Sequence, residues 1–181
     1  TYGLLVMLAF VVVVVNLITF KTIESDSNFV NYSGLLRATS YKMAQLSNIV
    51  INDKDQIASD RLEKNIQYFE SLINSLPKGD YKYGMSPPTH KITIEKLNHV
   101  QTLWDTRYKL AYNSILDSKD TNSLRIINEE TAIYVDFIDE MVTSYSEYAR
   151  LKIIHAKIMN GVISIIILLA AVFSFSFINN G

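Results

Sequence analysis

The sequence predicts an all-α fold in which two transmembrane helices enclose an antiparallel up-down four-helix bundle. The 17 basic and 18 acidic residues all lie between Lys21 and Lys157, so both ends of the chain are free of charge. Helix-breaking residues are concentrated in a few short segments of the charged part, and no strand-like alternation of polar and apolar residues appears. Apolar residues in this part recur at helical spacing instead.

The two uncharged ends have the length and composition of membrane spans. Residues 2–20 and 158–178 could each cross a bilayer core of roughly 30 Å at about 1.5 Å per residue. The first segment lacks the basic start and small-residue cleavage site of a signal peptide. We therefore predict a transmembrane helix at 1–20, an extracytoplasmic domain at 21–157 and a second transmembrane helix at 158–178. Two spans place both chain ends on one side of the lipid bilayer.

Three breaks divide the charged part into four helices. The longest break holds all three prolines together with Gly79 and Gly84, and two shorter polar breaks surround Asp53 and Asp120. The Asp and Ser residues of the short breaks are natural helix N-caps. The predicted helices are 21–51, 57–76, 90–116 and 121–157. An even number of antiparallel helices returns the chain to the membrane, as two spans require.

Apolar residues in the second and fourth helices step by four and three, which is typical of the seam of a helical bundle, and those in the third helix have similar but less regular spacing. The seam residues are Leu62, Ile66, Phe69, Ile73 and Leu76 in the second helix, Ile94, Leu97, Val100, Trp104, Tyr108 and Ile115 in the third, and Tyr134, Ile138, Met141, Tyr145 and Tyr148 in the fourth. The first and fourth helices run into the membrane spans without a breaker. A displacement of either helix should therefore reach the far side of the membrane.

Composition argues against several classes of function. The chain has no cysteine, and His90, His99 and His155 do not have the spacing of metal ligands, so we expect no metal and no cofactor. A net charge of −1 without a basic stripe argues against nucleic acid as a partner. Neither a nucleophile with a base nor a catalytic carboxylate cleft is apparent, so we do not expect an enzyme. The acidic pairs are interpreted as solvated helix faces: Glu129 with Glu130, and Asp139 with Glu140.

The first helix has two stripes, which predict different contacts. One stripe is apolar and suits the core of the bundle; it comprises Leu36, Met43, Leu46 and Val50. The other steps by four and three and suits a partner helix; it comprises Val30, Gly34, Arg37, Tyr41 and Ala44. A glycine inside a helix costs about 1 kcal/mol relative to alanine, and close approach of two helix backbones would explain it. We therefore predict a homodimer through this helix.

Arg37 would lie beside its own symmetry mate at such an interface, because residues near a two-fold axis meet themselves. The two guanidinium groups repel each other, and an arginine cannot relieve this by losing its proton. A small planar anion would accept forked hydrogen bonds from both sides. The alternative is an exposed Arg37 paired with a nearby carboxylate such as Asp26 or Glu24.

At this stretch the sequence resembles the nitrate/nitrite sensor histidine kinases of the NarX and NarQ type, and more distantly the sensor domain of type IV pilus chemotaxis transducers of the PilJ type. The resemblance covers about 15 residues in the frame N-x-x-G-x-L-R-x-x-S-Y, with Lys42 where that family usually carries arginine. The matching residues are Asn31, Gly34, Leu36, Arg37, Ser40 and Tyr41. Ala38, Thr39 and Leu35 depart from the family pattern.

The resemblance implies a homodimeric periplasmic bundle, anchored in the bacterial inner membrane by two passes, that binds one nitrate between its first helices. It makes Arg37 the ligand and Gly34 its neighbour, with Asn31, Ser33, Ser40 and Tyr41 around them. The signal would pass through the membrane helices to a cytoplasmic output domain in the same protein, with a histidine kinase as the first choice. A chemoreceptor or diguanylate cyclase output, another small anion or organic acid as ligand, and a non-sensory membrane scaffold remain alternatives.

Overall fold

The computed structural model describes residues 2–179 and is all-helical, as predicted. Only one isolated bridge, between Asp80 and Met85, joins extended residues in this part of the chain. The helices are α1 (Tyr2–Asn52), α2 (Gln56–Ser75), α3 (Lys91–Leu103), a π-helix (Trp104–Tyr108), α4 (Lys109–Ser118) and α5 (Thr121–Asn179), with a short 3₁₀ turn at Tyr81–Tyr83.

These bounds confirm the four predicted helices. The first and fourth predicted helices are parts of α1 and α5, and the second is α2. The third is made of α3, the π-helix and α4, which follow one another without a gap. Residues 26–146 form one compact unit, here called the central unit, and the described residues of 2–25 and 147–179 form another, here called the terminal unit.

The core of the central unit uses nearly all the predicted seam residues. The apolar stripe of α1 is buried, as are the five predicted residues of α2. Two predictions were wrong in detail. Ile94 is 36% exposed and Thr93 takes the buried position beside it, where the Thr93 hydroxyl bonds with the Ser144 hydroxyl (3.1 Å) and with His90 Nδ1 (3.0 Å). Tyr148, predicted to extend the seam of the last helix, is only half-buried.

The π-helix explains why the third predicted helix has an irregular apolar spacing. Val100, Trp104 and Tyr108 are four residues apart, and a regular α-helix of 3.6 residues per turn would rotate such a series away from the core. The i→i+5 hydrogen bonds of a π-helix accommodate an extra residue in the turn. All three side chains are consequently buried.

Aromatic rings fill the middle of this core. The ring centroid of Trp104 lies 4.2 Å from that of Phe69, and Tyr108 lies 4.2 Å from Tyr134. The Tyr134 hydroxyl donates to the Val100 carbonyl at 3.2 Å, which ties α5 to α3. Burial, followed by the neighbouring Glu130 carboxylate, raises the pKa of Tyr108 to about 12. These phenols therefore stay neutral at physiological pH.

Aspartate side chains cap the helices that follow the two short breaks. Asp55 accepts a hydrogen bond from the Ile57 N–H (2.8 Å), and Asp120 accepts from the Asn122 and Ser123 N–H groups (3.1 Å each), so both short breaks supply the predicted caps. The hydrogen bond from the Ser123 hydroxyl, followed by those from the backbone, lowers the pKa of Asp120.

The long loop contacts α1. The Asn28 amide donates to the Gly84 carbonyl (3.4 Å), and the rings of Tyr32 and Tyr83 lie 4.6 Å apart. Gly79 (φ +70°) and Gly84 (φ +62°) occupy the left-handed region that glycine tolerates best.

The parts of α1 and α5 that belong to the terminal unit are mostly apolar and exposed. The described helices Val6–Asn52 and Thr121–Phe173 are long and apolar enough to cross a membrane. In each of them, no residue of the most apolar segment is buried against protein. The Asn160 amide donates to the Asn16 side-chain oxygen at 2.8 Å. A polar pair of this kind joins helices where the surroundings are apolar.

We expect Phe69→Ala to lower the free energy of unfolding by about 3–5 kcal/mol, because it leaves a cavity against Trp104 in a filled core. Thermal unfolding of the chain in detergent, followed by the fluorescence of Trp104, measures the loss. The control is Tyr81→Ala, which removes a fully exposed ring and should change stability by less than about 0.5 kcal/mol. Equal effects of the two changes would show that the aromatic cluster does not stabilise the central unit.

Candidate functional site at Arg37

Arg37 forms an ion pair within the chain. Its Nη1 donates to Asp139 Oδ1 at 2.5 Å, and the two side chains are 42% and 44% exposed. The pair joins α1 to α5 inside the central unit. An ion pair this exposed contributes roughly 0–1 kcal/mol to stability. It therefore supplies a counter-charge for Arg37 without fixing the guanidinium firmly.

The partner of Arg37 differs from the ones considered from the sequence. Asp26 is buried and its Oδ1 accepts a hydrogen bond from the Tyr145 hydroxyl at 2.7 Å. The carboxylate that reaches Arg37 comes from the pair Asp139 and Glu140, which we interpreted as a solvated face. Asp139 is 102 residues away in the sequence, so local spacing did not indicate the contact.

Gly34 lies directly under the guanidinium of Arg37. A Cβ atom built on Gly34 would be 3.3 Å from Arg37 Nη2. The missing side chain thus lets the guanidinium fold back over the helix one turn earlier. This contact within one chain offers a second reason for the glycine, beside the close helix approach predicted from the sequence.

The other predicted site residues divide into two sets. Ser33 and Ser40 are buried on the core side of α1, and their hydroxyls donate to the carbonyls of Phe29 (2.7 Å) and Leu36 (2.8 Å). Asn31 and Tyr41 are exposed. Tyr41 follows Arg37 by one helical turn, whereas Asn31 lies about 120° around the axis from it at about 100° per residue. Arg37, Gly34 and Tyr41 are therefore the predicted residues that share one accessible face.

That face coincides with the stripe predicted for dimerisation. Val30, Gly34, Arg37 and Ala44 are each partly accessible, and Tyr41 is exposed. The stripe is thus left available to a partner helix by the packing of the central unit. Whether a second copy binds there stays a prediction.

The other three residues of the two acidic pairs, besides Asp139, also form salt bridges. Glu130 pairs with Arg107, Glu140 with Lys96 (2.6 Å) and Glu129 with Arg125 (2.8 Å). Hydrogen bonds from Lys96 lower the pKa of Glu140, and those from Arg107 lower the pKa of Glu130. Within residues 2–179, no group of three His, Cys, Asp or Glu side chains is placed to hold a metal ion.

Comparison with protein families identifies the class of the chain. The family model for the N-terminal domain of type IV pili methyl-accepting chemotaxis transducers, PilJ, matches residues 18–127. The match covers more than half of the chain, and the chain belongs to this family. A search of curated proteins finds no match.

The family that is shown is the more distant of the two resemblances. The match supports a sensory and signalling role in a chemotaxis transducer, and with the two long apolar helices it fits a membrane protein. It gives no specific support to a nitrate/nitrite sensor kinase.

We expect Gly34→Ala to raise the free energy of unfolding by up to about 1 kcal/mol, because alanine is the better helix former and only the end of a flexible side chain stands in the way. If Gly34 is required for close approach of two subunits, the same change should abolish the dimer. Thermal unfolding and light scattering measure the two effects separately.

The matched control is Gly84→Ala. Its φ is +62° and a Cβ there would lie 2.9 Å from the Asn28 amide, so it should lower the free energy of unfolding by about 1 kcal/mol or more. A dimer that survives Gly34→Ala would contradict the predicted helix approach and leave the Arg37 contact as the reason for the glycine.

Proposed function

We propose that the chain is the ligand-binding sensor module of a transmembrane chemotaxis transducer. The family match across residues 18–127 is the observation on which this proposal chiefly rests. In the proposed protein, the central unit is an antiparallel up-down four-helix bundle in the periplasm of a bacterium. The chain crosses the inner membrane twice and catalyses no reaction.

The proposed ligand is a small oxyanion, with nitrate as the first choice, bound by Arg37 from each subunit of a homodimer. Support comes from the accessible Arg37, Gly34 and Tyr41 on one face of α1. The Asp139 carboxylate already occupies Nη1, so the anion has to compete with it. Arginine has five N–H donors in a planar fork, and a trigonal anion can use a pair of them.

Competition with Asp139 supplies a mechanism for the signal. An anion that draws the guanidinium away from Asp139 weakens the ion pair between α1 and α5. These two helices are also the ones that contain the candidate membrane spans. A ligand shifts the equilibrium between the paired and unpaired states of Arg37 only if it binds one of them more tightly. The proposed anion binds the unpaired state more tightly, because Asp139 occupies Nη1 in the paired state.

The proposed output is a chemotaxis signalling domain. The sequence alone favoured a histidine kinase, and the family match favours the alternative of a chemoreceptor. A non-sensory scaffold is the less favoured alternative, because the family match is to a chemotaxis transducer.

We expect Arg37→Ala to abolish nitrate binding and Asp139→Asn to tighten it. The first change removes the donor, whereas the second removes the competing carboxylate. Charge-assisted hydrogen bonds contribute about 1.5–3 kcal/mol each, and an exposed ion pair costs roughly 0–1 kcal/mol to break, so the gain should be up to about fivefold. Isothermal titration of the chain in detergent with nitrate, nitrite and chloride measures both.

The stoichiometry provides a further check on this site. An anion on a two-fold axis is shared, so one should bind per dimer. Glu140→Gln is the matched control, since it removes the next carboxylate along α5, one that pairs with Lys96 instead. Unchanged binding by Arg37→Ala, or one anion per subunit, would place the anion elsewhere.

We also expect a cysteine introduced at Tyr81, in the long loop, to react with an impermeant thiol reagent in spheroplasts. A cysteine appended after Gly181 should react only once the membrane is permeabilised. The chain has no native cysteine, so both labels are specific. Equal labelling at the two positions would contradict the two-pass topology.

A further inference from the structure

A groove between α1 and α2 presents a second cationic surface. Each helix contributes four residues at spacing i, i+3, i+4 and i+7, which is one helical face. They are Lys42, Gln45, Leu46 and Ile49 on α1 and Arg61, Lys64, Asn65 and Tyr68 on α2. The groove has a volume of about 570 Å³, which lies in the range of small-molecule sites.

This groove is separate from the Arg37 site. Lys42 follows Arg37 by five residues, which is about 140° around the helix axis at 3.6 residues per turn. Arg37 contacts α5, whereas the groove is closed on its other side by α2. A ligand in the groove therefore need not touch Arg37 or Asp139.

The groove holds three positive charges and no carboxylate. The ion pairs formed within the described part of the chain engage other side chains and leave Lys42, Arg61 and Lys64 unpaired. Asp60, which precedes Arg61, accepts a hydrogen bond from Gln56 instead (2.9 Å). Like charges on neighbouring side chains repel one another, and an anion between them would relieve the repulsion.

The three cations are spread along the groove. Residues 53–55 join α1 to α2, and two helices joined by so short a loop run antiparallel. At 1.5 Å per residue, Lys42 lies about 15 Å from the end of the hairpin, Lys64 about 12 Å and Arg61 about 8 Å. More than one anionic group is needed to meet charges distributed in this way.

The surroundings of the cations limit the kind of anion. Leu46 is buried and Ile49 half-buried, so the α1 side of the groove offers apolar surface beside the charges. The amides of Gln45 and Asn65 add neutral hydrogen-bonding groups. Near the hairpin, three exposed carboxylates outnumber the one exposed cation that lies outside the groove, Lys54, and would repel the continuation of a long acidic polymer; these are Asp53, Asp55 and Asp60.

We propose that this groove binds a small organic anion that carries at least two carboxylate groups on a short hydrocarbon chain. One carboxylate meets Arg61, nearer the hairpin, another meets Lys64 and Lys42, farther from it, and the hydrocarbon lies on Leu46 and Ile49. Because the cations are exposed, binding weakens as ionic strength rises. The inference does not depend on Arg37 being an anion ligand.

Calorimetric titration of the chain in a non-ionic detergent with succinate and citrate, at low ionic strength, tests this site. Both should bind, and acetate and inorganic phosphate should bind much more weakly. The double variant Arg61→Gln/Lys64→Gln should lose about tenfold or more in affinity, which is the equivalent of two exposed charge-assisted contacts. Arg37→Ala should retain succinate binding, which separates this site from the proposed nitrate site.

The matched control is Lys78→Gln/Lys82→Gln, which removes the same charge from two exposed lysines outside the groove. It should bind succinate within about twofold of the wild type, because long-range charge effects are screened. The inference is overturned by any of four results: no binding of either polycarboxylate, equal binding of acetate or phosphate, equal loss in the control variant, or binding only of an acidic polymer such as polyglutamate.

Discussion

The periodicity of α1 between residues 26 and 52 is the constraint on which the rest of the central unit depends. This one helix has to present a core face, a face toward α5 and a face toward α2 within about seven turns. The core face recurs at steps of three and four and includes Phe29, Leu36, Met43 and Val50. A shift of one residue would turn every face by about 100° and bring charged side chains to the core.

Small polar residues make this arrangement compatible with a helix. Ser33, Ser40 and Ser47 occupy core positions, and each hydroxyl donates to the carbonyl four residues earlier. Their polar atoms are thus satisfied without help from another helix, which matters because an unsatisfied buried hydroxyl costs roughly 1–3 kcal/mol. Their small size also lets large rings from other helices approach, as Tyr145 does when it stacks on Phe29 at 3.9 Å.

Charge is distributed differently over the two outer faces. Toward α5, Arg37 finds a carboxylate in Asp139 and Asn48 exchanges hydrogen bonds with Asn128. Toward α2, Lys42 lies in a groove with Arg61 and Lys64 whose lining contains no carboxylate. The charge of Arg37 is therefore balanced within the chain, and the charges of the groove are not. In the two proposals, the first face binds an anion that competes with Asp139, and the second binds one that meets unpaired cations.

The sequence by itself determined the helices, their caps and most of the core, because these depend on contacts within a few residues. The seam of α2 and the cap at Asp55 follow from local spacing alone. The long uncharged ends predicted two apolar helices for the same reason. The frame around Gly34 and Arg37 indicated a sensor, although it pointed first to the nitrate/nitrite kinases and only second to the family that is shown.

Only the tertiary structure decided which side chains meet across helices. The contact of Arg37 with Asp139 joins residues 102 positions apart, and the cationic groove requires α1 and α2 to align two separate faces. Neither the ion pair nor the groove is indicated by nearby residues, since the sequence does not distinguish a charged residue that contacts another helix from one that is only exposed. The burial of Thr93, where the sequence predicted Ile94, has the same cause. The hydrogen bond between Thr93 and Ser144 forms only when α3 packs on α5. Helical periodicity is a local property of the chain, whereas the pairing of faces is fixed by the packing of the whole unit.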